Sequence, residues 1–157
     1  MVSTVEYAKE KYFDLKSDYS KEIKLNEKEI ELLVVKIDHM RKSGPYMKTL
    51  ENWSEQFALT SVLVISKDQG LILMVEGDKC NISKFLLNWK TTNIDVDSHG
   101  KPCKEKMMQI LLREKHGICD LYLKEITEES FIVIECDHLM QYLSGTKIIS
   151  MIESILK

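Results

Sequence analysis

The chain has 157 residues, of which 44% are apolar and 30% charged, and its formal net charge is −3. Such a chain is long enough for one domain with a sizeable core, and its composition excludes wholesale disorder. Mild acidity argues against strong generic attraction to nucleic acid, and no apolar stretch approaches the roughly 20 residues of a membrane span.

The charge is uneven. Residues 1–30 carry 6 basic and 7 acidic side chains, residues 31–116 carry 13 and 11, and residues 117–157 carry 3 and 7. An anionic partner is therefore expected to meet the middle of the chain. The start, MVSTVEYAKEK, has acidic residues and no apolar core, unlike a secretory signal, so a cytoplasmic or nuclear chain is expected. Cys80, Cys103, Cys119 and Cys136 form no C-x-x-C pair and read as reduced thiols, several of them in the core.

In chain order, Val5, Ala8, Tyr12, Leu15 and Tyr19 step by 3 or 4 and predict an N-terminal amphipathic helix within residues 1–30. The remainder, 31–157, reads as one domain with a C-terminal extension. Glu31–Asp38 is strand-like. Ser43, Gly44 and Pro45 open a helix whose face is Tyr46, Leu50, Trp53 and Phe57. Val62–Ile65 and Leu71–Val75 flank a polar turn and predict a hairpin. Both runs are apolar at nearly every position, where a strand with one wet face alternates, so cover is expected on both faces.

Asp78 or Asn81 can cap a second helix with Ile82, Phe85, Leu86 and Trp89 inward. Thr92–Asp97 alternates like an edge strand. The resulting order, strand–helix–strand–strand–helix–strand, predicts an α+β, ferredoxin-like βαββαβ sandwich in which the first and third strands are central. Ser98–His116 then reads as a third helix on the spacing of Cys103, Met107, Ile110 and Leu111. Phe131–Glu135 reads as a further strand, and Leu139–Leu156 as a closing helix interrupted near Gly145.

No chemistry is strongly signalled. Asp95, Asp97, His99 and Gly100 begin like a calcium loop, but Lys106 stands where a bidentate carboxylate is needed. His99 with Cys103, His116 with Cys119, and Cys136 with His138 lack paired zinc-ligand spacing. Neither a nucleophile elbow nor a glycine-rich phosphate loop occurs, so no catalytic residue, metal or cofactor is expected.

Two surfaces are candidates for binding. Val62, Leu63, Val64 and Ile65 are expected at an edge unless the tail strand Phe131–Glu135 or the N-terminal helix covers them, and uncovered they would template a partner's strand. Arg41, Lys42, Lys101, Lys104, Lys106 and Arg113 are candidate phosphate contacts. The acid-flanked runs beginning at Glu31 and at Glu128 also have the form of segments that bind SUMO by strand addition.

The stretches KIDHMRKSGPYMKTLENWSEQFALTSVLVISK, GLILMVEGDKCNISKFL and IDVDSHGKPCKEKM resemble the C-terminal domain of the sumoylation-enhancer family of RWD domain-containing protein three. That domain is in turn similar to the C-terminal domain of the small nuclear ribonucleoprotein pre-mRNA-processing factor three. The resemblance covers about residues 32–115 and implies a ferredoxin-like fold. It implies either an adaptor working through SUMO-pathway or RWD-protein contacts, or a module gripping single-stranded RNA. Residues 1–30 read as helix and not as the RWD domain that ties the enhancer to the SUMO-conjugating enzyme.

Overall fold

The computed structural model describes residues 29–41, 43–96, 99–103, 108–117 and 121–156. The predicted N-terminal helix lies outside these residues as far as position 28. In chain order the elements begin with β1 (Ile30–Ile37), α1 (Ser43–Gln56), β2 (Thr60–Ser66), β3 (Gly70–Asp78) and α2 (Lys79–Thr91). Next come β4 (Asp95–Val96), β5 (Pro102–Cys103), β6 (Met108–His116), a 3-10 turn at Leu123–Glu125, and β7 (Phe131–Cys136). Two short helices, α3 (Leu139–Tyr142) and α4 (Ile149–Ile155), close the chain.

Five strands form one mixed sheet in the order β6-β1-β3-β2-β7, making an α+β fold. β7 runs parallel to β2, and every other neighbouring pair is antiparallel. The order of the sheet explains the apolar runs. Leu33, Val35, Leu63, Leu73 and Val75 face α1 and α2, burying Leu50, Trp53, Ile82, Phe85 and Trp89. Leu32, Val34, Val62, Val64, Ile72 and Met74 face the opposite way, under Leu123, Leu139, Leu143, Ile148 and Ile152. Alternate residues of one strand thus enter different cores, so no position between Leu32 and Val35 is left for water.

Local chemistry sets the boundaries. Pro45 lies in the first turn of α1, where its missing N–H had no partner to lose. Past α1, Ala58 takes a left-handed conformation (φ 51°) while Leu59 N donates to Ser54 O at 2.8 Å. The Ser54 hydroxyl is 2.7 Å from that of Ser61, tying the helix to β2 inside the core. At Gly77 a Cβ would lie 2.4 Å from Leu59 Cδ2, so the buried Leu59 side chain would have to shift to admit it. Asp78 caps α2, its carboxylate accepting from Cys80 N at 2.9 Å. Trp89 Nε1 donates to the Tyr46 hydroxyl at 3.0 Å, and burial pushes that phenol up to about 12.

Two expectations are overturned. Thr92–Asp97 is not an edge strand of the main sheet: among its described residues only Asp95 and Val96 form a strand, and they pair with Cys103 and Pro102 in a separate ribbon. The place beside β1 is taken by Met108–His116, expected as part of a helix. The cause is a bulge. Val34 pairs with Leu112 and Val35 with Ile110, leaving Leu111 as the extra residue. Leu111 and Leu112 therefore pack against the same core, and the simple period of two is lost.

Candidate functional site

The strand expected to offer a free edge is covered. β7 pairs with β2 from Ser61↔Phe131 to Ser66↔Cys136, and Val62, Leu63 and Val64 are fully buried. Val62–Ile65 is therefore not the docking edge. β7 needed a place to bury Ile132 and Ile134, and the apolar flank of β2 supplied it.

The outer edge has moved to β7, and its parity is set by two hydrogen bonds. Ser61 N donates to Ser130 O at 2.8 Å and Lys67 N to Cys136 O at 3.2 Å. Even-numbered residues of β7 thus point their backbone groups at β2. Phe131, Val133 and Glu135 point theirs away, and among the described residues no strand lies beyond them. Val133 is 43% exposed, and Glu128, Glu129 and Glu135 stand exposed alongside. Nearby Asp137 is paired with Lys67 at 2.7 Å.

The opposite edge is built differently. On β6, the Arg113 guanidinium donates to Glu31 Oε2 from Nε and to Ser83 Oγ from Nη2, both at 2.7 Å. The Glu31 side chain is only 5% exposed, so this pair locks β6 to β1 and to α2. Glu29 joins Lys79 at 3.1 Å and Lys115 at 3.2 Å, and hydrogen bonds from those two ammonium groups hold its carboxyl below the usual range.

Of the expected phosphate contacts, Arg41, Lys101 and Arg113 fall among the described residues. Arg113 is engaged with Glu31 and Ser83 through Nε and Nη2. Arg41 lies beyond the other end of β1, where its backbone N–H donates to both oxygens of Asp95 at 3.1 Å. Lys101 is exposed beside the β4–β5 ribbon. Lys42, Lys104 and Lys106 lie outside the described residues.

A buried polar clamp was not anticipated. Glu76, in the middle of the sheet, accepts from Tyr122 N at 2.8 Å and Leu123 N at 3.1 Å. His116 Nε2 lies 3.1 Å from the same carboxylate, but neither ring nitrogen has an aligned hydrogen-bond partner. The imidazole stands edge-on to Tyr122, with centroids 5.0 Å apart. A glutamate ending the run Leu71–Val75 was the available signal, because a central strand tolerates a carboxylate only with donors nearby.

At the β2–β3 turn the Ser66 hydroxyl donates to Asp68, and this bond is the main cause that lowers the Asp68 carboxyl. Leu139 N reaches the same carboxylate at 3.4 Å, and His138 Nδ1 lies 3.7 Å from it. Cys136 packs against the second core. Among the described residues no group of three or more His, Cys, Asp or Glu side chains could hold a metal ion. Nor is any helix among them long and apolar enough to cross a membrane.

Comparison with known proteins locates the likeness in part of the chain. RWD domain-containing protein 3 of Rattus norvegicus is 40% identical over 84 residues, covering 54% of this chain and 31% of the relative. The Homo sapiens protein is 36% identical over 84 residues with the same coverage, and that of Xenopus tropicalis 39% over 79. Over that half the chain is homologous to RWD domain-containing protein 3. The chain spans less than a third of the length of these relatives. No protein-family model matches. Among solved structures, a bacterial light-regulated adenylyl cyclase has a TM-score of 0.49 at 15% identity, covering 81% of this chain and 32% of that one. The BLUF protein BlrB in its dark state has 0.48 at 10%, covering 83% and 93%. Likenesses this weak assign neither ligand nor activity.

Proposed function

We propose that this chain is a non-catalytic interaction domain with a ferredoxin-like core, acting through protein contacts with components of the SUMO pathway. The observation that carries the reading is the homology over 84 residues to RWD domain-containing protein 3. The strand order β6-β1-β3-β2 with α1 and α2 on one face supports the ferredoxin-like assignment, with β6 as its fourth strand. An adaptor needs an accessible contact surface and no reactive centre, and the exposed rim of the sheet is such a surface.

The test is a pull-down with the tagged chain against purified SUMO-conjugating enzyme, SUMO and an RWD-domain protein. Retention of at least one is the expected result. Retention of none, together with single-stranded RNA binding that falls steeply as salt rises, would replace this reading with an RNA-binding one.

A further inference from the structure

We infer that the outer edge of β7 is a docking site for an extended, lysine- or arginine-flanked strand of a partner protein. The inference rests on the reading of the chain as an interaction domain and names the surface that does the work. Phe131, Val133 and Glu135 present outward N–H and C=O groups in a row, which an incoming strand satisfies by main-chain hydrogen bonds. Val133 offers apolar contact at the centre of that row.

Charge selects the occupant. Glu128 and Glu129 precede the strand and Glu135 lies within it, all three exposed and without an ion pair among the described residues. A second copy of this chain would bring the same set of carboxylates to the new ladder and add to the negative charge there, whereas a basic-flanked strand neutralises it. Basic flanks also speed encounter, since the whole segment 117–157 carries 7 acidic and 3 basic residues.

The parity of β7 provides a selective test. Val133→Pro removes an outward N–H and leaves every bond to β2 in place, as proline is tolerated on the open side of an edge strand. The probe is a fluorescent synthetic valine/threonine peptide with lysines at both ends, beside a counterpart ended by glutamates. Saturable anisotropy change is expected for the lysine-ended peptide with the full chain. It should weaken about tenfold or more for V133P, for the glutamate-ended peptide, and for a Glu128→Lys, Glu129→Lys, Glu135→Lys variant. Circular dichroism confirms that V133P is folded; if it is not, the charge variant decides.

Equal binding of the two peptides to the intact chain, or undiminished binding to the charge variant, would overturn the proposal. So would a dimer mass by light scattering that falls to monomer in V133P, which would make the occupant a second copy. The two readings separate cleanly. Undiminished capture of SUMO-pathway proteins by folded V133P overturns the edge and spares the adaptor function. Peptide binding without any such capture does the reverse.

Discussion

The two rims of the sheet receive opposite treatment. β6 is bulged at Leu111, carries Arg113, Glu114 and Lys115, and is bolted to its neighbours by the buried Glu31 carboxylate. β7 has no register shift against β2, begins Phe-Ile-Val-Ile, and has Glu128, Glu129 and Glu135 without an ion pair among the described residues. Bulges and charge are the usual means of blunting an edge against unwanted strands. Protection at one rim and not at the other is what a sheet needs if it is to accept one partner in one place.

The sharpest way to break this contrast is a pair of prolines in adjacent positions. Ile134→Pro removes a backbone donor that faces β2 and disturbs a residue packed on the second core. It should cost about 3 kcal/mol or more, whereas V133P should cost under about 1 kcal/mol, as read by urea denaturation. Equal losses would mean that the parity assigned to β7 is wrong.

Next in size is the clamp on the link between the rims. Glu76→Ala leaves the Tyr122 and Leu123 amides without their carboxylate, at about 2–3 kcal/mol, and loosens the segment that leads from β6 to β7. Glu76→Gln keeps one acceptor and should lose less. A smaller effect is expected at the β6 rim. Arg113→Ala strands the buried Glu31 carboxylate, but the arginine is 36% exposed, so water offsets part of the loss and about 1–2 kcal/mol is expected. It should leave peptide binding at β7 unchanged.

The smallest effect is on pH dependence, and it touches both rims. Glu29 at the β6 side and Asp68 near the start of α3 both have carboxyls lowered in the folded state. A lowered folded pKa means stability that is present above the unfolded carboxylate range and lost as pH falls through the folded value. Acid titration of the melting temperature should therefore show Asp68→Asn and Glu29→Gln differing from the parent at neutral pH and converging with it in acid. A gap that widens in acid would reverse the assigned sign.

Much of the fold was legible because periodicity reports burial. Tyr46, Leu50 and Trp53 of α1, Ile82, Phe85, Leu86 and Trp89 of α2, and both hairpin strands lie where their spacing placed them. The helix expected over β6 rested on the spacing of Cys103, Met107, Ile110 and Leu111; the bulge at Leu111 breaks the period of two that would have announced a strand, and Ile110 is left exposed. The outer strand among the described residues is β7, one strand farther out than the expected edge. The apolar run Val62–Ile65 announces cover on both faces, but the partner that closes its edge, β7, lies some seventy positions away, and nothing local specifies that pairing. The Glu76 clamp likewise joins residues 76, 116 and 122, whose meeting only the folded topology reveals.

The contrast between the rims is tested most directly by residue-resolved amide hydrogen exchange, with and without the lysine-ended peptide. Protection should rise at Phe131, Val133 and Glu135, while the amides of β6 stay as they were. Protection that appears along β6, or is absent from all three outward amides of β7 at saturating peptide, would contradict the account.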